Sequence, residues 1–133
     1  MADYRASHRY AKITARKARR AVDLVRGLPV NQALTVLEHN TRRSAYLVRK
    51  VVRSAVANAE QTGDVDLNEL RVVEARVDEG PLLGGYMRWR PAARGRAMPY
   101  RKRTSHIHIR LGTDRAPVPA EAAAPADAAT EES

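Results

Sequence analysis

The sequence contains no cysteine and no phenylalanine, and one tryptophan and five tyrosines supply all of its aromatic rings. Without cysteine there can be no disulfide, no thiolate zinc or iron–sulfur site and no thiol nucleophile, and the setting reads as reduced and cytosolic. No apolar run of about 18 residues occurs, which excludes a membrane-spanning helix. The opening Met1-Ala2-Asp3-Tyr4-Arg5 lacks the apolar centre of a secretory signal. With 133 residues the chain has room for one domain, whose core must be built from Ala, Val, Leu and Ile. A large, self-sufficient enzyme core is not expected.

What the chain does have is positive charge: 24 Lys and Arg face 15 Asp and Glu, for a net +9 and a pI near 10.6. A balance this basic points to a polyanionic partner, nucleic acid or an anionic membrane surface. Twenty of the 24 basic residues are Arg. The planar guanidinium grips phosphate at two points and stacks on bases, which favours nucleic acid, although a GC-rich genome would also inflate Arg and Ala. The charge is patterned, with a net +10 over residues 1–58, −5 over 59–79, +8 over 80–112 and −4 over 113–133. Residues 80–112 contain no acid at all. Two basic blocks are thus separated by an acidic connector and followed by an acidic Ala/Pro-rich tail. That tail, 113–133, has no periodic apolar face and reads as disordered.

Apolar spacing places the elements. Ala15, Ala18, Val22 and Val25 recur at helical intervals over Thr14–Arg26, with Thr14 as cap and Gly27 as terminator. The other faces carry Arg16, Lys17, Arg19, Arg20 and Arg26, a cationic ridge whose internal repulsion an anion would relieve. Pro29 opens a second helix that ends near His39-Asn40. Thr41 can cap a third, reaching about Glu60, with Ala45, Val48, Val52, Ala55 and Ala59 inside and Arg42, Arg49 and Arg53 on another side. Period-two alternation predicts strands over 71–78, with Val73, Ala75 and Val77 inward, and over 104–111, with Ser105, Ile107, Ile109 and Leu111 inward. Residues 5–11 add a third strand. The expected fold is α+β, with three helices packed on a small antiparallel three-stranded sheet, in a single domain over 1–112.

Gly80 to Arg103 would be far too long for an ordinary hairpin loop. One reading is a disordered basic loop. The other is an extended β-hairpin protruding from the domain, whose arms of about ten residues at ~3.3 Å each would reach roughly 30–40 Å. Such a finger is not stable alone in water. Tyr86, Met87 and Trp89, set among Arg88, Arg90 and Arg94, suit stacking on bases or filling gaps in a folded RNA.

Catalytic patterns fail on geometry. Ser105 and His106 are strand neighbours and point to opposite faces, so they are not a nucleophile and base. His106 and His108 share a face but have no Cys or close third ligand for a metal. Gly84-Gly85 lacks the Gly-Lys-Ser/Thr of a phosphate-binding loop. No catalytic residue, metal or cofactor is expected. A nucleoid-associated or RNA-chaperone module is the competing class.

Several strings resemble the bacterial large-subunit ribosomal protein twenty-two family. They are Asp78-Glu79-Gly80-Pro81, Gly95-Arg96-Ala97, Lys102-Arg103-Thr104-Ser105-His106-Ile107, Arg26-Gly27 with Val30, Ala33 and Leu34, and Ser54-Ala55-Val56-Ala57-Asn58-Ala59-Glu60. The match covers roughly 5–111. The resemblance implies a structural constituent of the large ribosomal subunit that binds 23S rRNA and aids subunit assembly in the bacterial cytoplasm. It further implies a hairpin over about 80–103 that lines the nascent-peptide tunnel, beside ribosomal protein four and the nascent peptide, without a membrane and without homo-oligomerisation. About three residues near Leu83-Gly84-Gly85 look surplus to the family's outgoing arm, and Ala92 stands where relatives often have Arg.

Charge pattern and resemblance together mark as rRNA-binding Arg9, Lys12, Arg16, Lys17, Arg19 and Arg20 near the first helix, and Arg88, Arg90, Arg94, Gly95, Arg96, Arg101, Lys102 and Arg103 on the hairpin. Thr104, Ser105 and His106 are added from the matching string. The tunnel-lining tip is expected at Met87, Trp89, Arg90, Pro91, Ala92, Ala93 and Arg94. Gly95 serves either a hairpin turn or a close approach to RNA.

Overall fold

A computed structural model describes residues 3–63 and 66–113. The chain runs β1 (Asp3–Ala11), α1 (Ala15–Val22), α2 (Val30–His39), α3 (Arg43–Thr62), β2 (Arg71–Leu82), β3 (Arg88–Pro91), β4 (Ala97–Tyr100) and β5 (Arg103–Gly112), with short 3-10 turns at Leu83–Gly85 and Ala93–Gly95. The architecture of the described residues is α+β, with three helices and five strands in two antiparallel sheets. One sheet has the order β1-β5-β2, and the other is the ribbon β3-β4. The acidic tail from residue 114 onward lies outside the described residues. None of the helices is long and apolar enough to cross a membrane, among the described residues.

The strands form because their side chains alternate, and the helices cover one face of the sheet. Along β5, Ser105, Ile107, Ile109 and Leu111 are buried while His106, His108 and Arg110 lie on the opposite face. Beneath the helices Ile107 and Leu111 join Val22, Val48, Val52 and Leu37 in one apolar cluster. Small side chains do much of the packing: Ala18, Ala21, Ala33, Ala45, Ala55 and Ala59 are fully buried, which lets the helices approach closely. Each fully buried large aliphatic side chain contributes about 1.5–3 kcal/mol of transfer free energy.

Three details depart from the sequence expectations. The inward residue at the start of β2 is Val72, not Val73, because the register with β5 slips between Val72 and Glu74 and this bulge turns Val72 into the core. The first helix ends at Val22 rather than at Arg26, since residues 27–30 are captured by β2. Gly27 N donates to Val72 O (3.0 Å), Val72 N to Leu28 O (3.0 Å) and Val30 N to Leu70 O (3.0 Å). Arg42, not Thr41, is the residue preceding α3, and neither it nor Thr14 makes a side-chain capping bond.

Both margins of the sheet are partly occupied. On β2, beyond the 27–30 segment, Arg26 donates through Nε and Nη2 to Ala75 O (3.3 and 2.9 Å), and Arg19 Nη2 donates to Val77 O (3.3 Å). Arg19 lies on α1 and Arg26 beyond its end, and the two carbonyls they reach are two residues apart on β2. On β1, Asn58 Nδ2 of α3 donates to Arg5 O (2.9 Å).

Candidate nucleic-acid interface

The open face of the sheet carries both signs of charge and neutralises itself. Asp3 lies 3.7 Å from Arg5 and 3.5 Å from Arg110, Glu74 contacts Arg76 and Arg110, and Asp78 contacts Arg76 and His108 at 3.7 and 3.5 Å. Three carboxylates stand among three guanidiniums and an imidazole, so a phosphate strand would meet as much repulsion as attraction. The cations free to meet RNA lie elsewhere, on α1, on the end of β1 and on the ribbon.

At the end of β1 a bulge between His8 and Ala11 puts Tyr10 at a positive φ of 57°. Its amide donates to Nδ1 of His106 (3.0 Å), its ring meets the His106 ring edge-on at 4.8 Å between centroids, and the Arg9 guanidinium lies 5.4 Å from its centre. With Nδ1 accepting, the neutral His106 ring carries its proton on Nε2. Arg9, Tyr10 and His106 are thereby brought together beside the hairpin base, and Lys12 follows two residues later on the exposed surface.

The hairpin base meets α1 in a cleft of about 300 Å³ lined by Thr14, Ala15, Arg16, Glu79, Gly80, Arg103 and Thr104. Arg16 and Arg103, 87 positions apart in the chain, therefore address the same space. A side chain at Gly80 would force its neighbours to shift, because a Cβ on it would stand 2.5 Å from Thr104 Oγ1 and 3.2 Å from the Thr104 backbone. The Thr104 hydroxyl donates to Pro81 O, which closes the bulge opposite. Thr104 and Ser105 are both buried, so of Thr104, Ser105 and His106 only the histidine reaches the surface. Arg19 is likewise committed, through its bond to β2.

Beyond Leu82 the two strands continue unevenly, with five residues, 83–87, on the outgoing arm opposite two, 101–102, on the returning one. The surplus is absorbed at Leu83-Gly84-Gly85, where Gly84 and Gly85 have φ of 81° and 78°. Leu83 N still reaches Lys102 O at 2.8 Å. The ribbon then pairs Arg88 with Tyr100, Trp89 with Pro99, Arg90 with Met98 and Pro91 with Ala97. Paired residues share a face. One face is therefore Arg88, Arg90, Met98 and Tyr100, with the Arg90 guanidinium 4.4 Å from the centre of the Tyr100 ring. The other is Trp89, Pro91, Ala97 and Pro99. At the tip Ala92 N donates to Arg96 O (2.8 Å), and Arg94 and Gly95 both take positive φ, 58° and 68°. Gly95 thus serves the turn.

None of the ribbon is buried; Tyr86 and Trp89 are 62% and Met98 63% exposed. Arg101 and Lys102 are exposed as well. Large apolar groups on a two-stranded ribbon without a core, set among cations with no acid nearby, mark the ribbon as an interaction surface whose charge suits a nucleic acid. Arg42, just before α3, and Arg43, its first residue, are exposed cations that the candidate residues did not include. The signal was available in the recurrence of Arg42, Arg49 and Arg53 along one side of α3.

Residues 6–112 match the family described as ribosomal protein L22p/L17e. A relative, the large ribosomal subunit protein uL22 of Ligilactobacillus salivarius (strain UCC118), is 49% identical over 105 residues, covering 79% of this chain and 89% of its own length. The chain belongs to the ribosomal protein L22p/L17e family, a family of large-subunit ribosomal proteins.

Proposed function

We infer that this protein is a structural, non-catalytic constituent of the bacterial large ribosomal subunit, and that it binds 23S rRNA through two connected surfaces. The first comprises Arg9, Lys12, Arg16, Lys17 and Arg20 around α1. The second is the ribbon with its base, from Arg88 through Arg103. Arg side chains neutralise phosphates where RNA segments converge, release counterions and lower the repulsion that opposes compaction, which is how such a protein aids assembly.

The observation that carries this reading is the two-faced ribbon Arg88–Tyr100, set within the acid-free stretch 80–112. The Arg88/Arg90/Tyr100 face suits RNA, by phosphate pairing and stacking. The Trp89/Pro91/Ala97/Pro99 face, which has no charge, suits the lumen of the nascent-peptide tunnel, with ribosomal protein four as neighbour at the tip. The ribbon and the β2–β5 base together form one protruding finger, anchored by the domain of residues 1–112.

In a salt series with a 23S rRNA transcript, Arg94→Ala/Arg96→Ala should weaken binding and reduce the slope of log K against log salt by about 1.4–1.8, at roughly 0.7–0.9 per lost phosphate contact. An unchanged slope rules out phosphate contacts at the tip. Recovery of the wild-type protein on bulk DNA, rather than with the large subunit at high salt, would favour a nucleoid-associated module instead.

A further inference from the structure

We propose that the groove between α1 and the first turn of α3 is a further RNA-binding site, separate from the cleft at the hairpin base. It takes a backbone phosphate of a looped or single-stranded RNA segment, with an unstacked base against Tyr46. The proposal rests on the RNA-binding reading above.

The groove, of about 310 Å³, is lined by Ile13, Lys17, Arg20, Arg42, Arg43 and Ser44. Four cations from two elements line it, and no carboxylate does. None of the four forms an ion pair among the described residues. α1 thus stands between two grooves, with Arg16 in the cleft shared with Arg103 and Lys17 and Arg20 in the one shared with α3. Holding these like charges together is unfavourable in the free protein, and an anion in the groove removes the conflict. The conflict is sharpened by position. Arg42 and Arg43 occupy the start of a 20-residue helix that has no acid in its first turn, the end where the helix dipole is already positive. The floor is polar as well as apolar, for Ser44 there is only 3% exposed.

One turn along α3, Tyr46 is 49% exposed, although nothing in the fold requires an aromatic ring outside the core there. Lys50 Nζ lies 4.8 Å and the Arg49 guanidinium 5.8 Å from its ring centre. The Lys50 ammonium, by hydrogen bond and charge, lowers the pKa of the Tyr46 hydroxyl. Arg49 is in turn held by Glu38 at 3.3 Å. A ring steadied by cations with half its surface open is a stacking platform, and beside a phosphate-sized cationic groove it selects a strand whose bases are splayed rather than a closed duplex.

The test uses the full-length protein and a 23S rRNA transcript in a salt series, with thermal unfolding of each variant as a control. Arg42→Ala/Arg43→Ala should bind at least tenfold more weakly, with the salt slope reduced by about 1.4–1.8. Lys17→Ala/Arg20→Ala, on the opposite wall, should lower the slope in the same way, so the test survives if one pair of substitutions impairs folding. Tyr46→Leu should weaken binding several-fold at an unchanged slope, and Tyr46→Phe should restore it. Because the chain lacks cysteine, an iron chelate can be tethered at a single Ser54→Cys or Ala92→Cys. The two positions should cleave different rRNA segments. Wild-type affinity and slope in Arg42→Ala/Arg43→Ala, or cleavage of one common segment from both tethers, overturns the site while leaving the function above intact; the same result in Lys17→Ala/Arg20→Ala also removes those two residues from the α1 surface inferred above. Loss of the variants from subunits in cells with unchanged affinity for naked rRNA means that the groove takes an acidic protein, and also overturns it. Failure of the wild type to bind rRNA overturns both readings.

Discussion

Strands β2 and β5 belong to two structures with opposite energetics. Within the domain they alternate buried and exposed residues under a helical cover, and Ile107 and Leu111 are lost to solvent entirely. Past Leu82 and Arg103 the same antiparallel pairing leads into a ribbon with no buried residue, where the largest side chains, Tyr86, Trp89 and Met98, are also among the most exposed. Hydrogen-bonded pairing alone does not distinguish the two. What differs is whether something covers the face, and the ribbon's composition is intelligible only if the cover belongs to another molecule.

That contrast can be broken by substitution. Ile107→Ala should cost about 2–5 kcal/mol of domain stability, read by denaturant unfolding, because a fully enclosed side chain leaves a cavity. Gly80→Ala, at the junction between the two regions, should cost about 1–3 kcal/mol, since its Cβ collides with Thr104 and the neighbouring backbone has to shift. Trp89→Ala should change unfolding of the free protein by less than about 0.5 kcal/mol, although Trp89 is the largest residue in the chain. A destabilisation by Trp89→Ala as large as that from Ile107→Ala would show that the ribbon is covered by its own domain, and the division between the two regions would fail.

Much of this was legible in the sequence, and what was missed shares a cause. Helices and strands followed from apolar spacing, since burial of a periodic stripe is a local property of the chain. The inward choice of Val72 over Val73 was not legible, because a bulge is a relation between β2 and β5. Nor was the early end of α1, which depends on bonds from residues 27–30 to a strand 40 positions away. For the interface, the acid-free stretch marked the ribbon correctly as an element distinct from an ordinary loop. Charge alone could not tell that Arg19 and Arg26 are turned to the carbonyls of β2, or that Thr104 and Ser105 are inside while His106 is held at the surface by Tyr10. Those assignments depend on which groups the fold leaves unpaired.

The occupied margins of the three-stranded sheet bear on the interval between synthesis and assembly. A ribosomal protein is made before its RNA site is ready, and an open strand edge in a free copy would be a template for pairing with the next one. Here β2 is closed by residues 27–30 and by two arginines, and Asn58 occupies a carbonyl of β1. The ribbon that awaits RNA carries Pro91 and Pro99, neither of which has an N–H to offer a foreign strand. Arg19 and Arg26, which apolar spacing alone would place on one cationic ridge, instead occupy carbonyls that a neighbouring strand would need, so less of the β2 edge is open to pairing with a second chain.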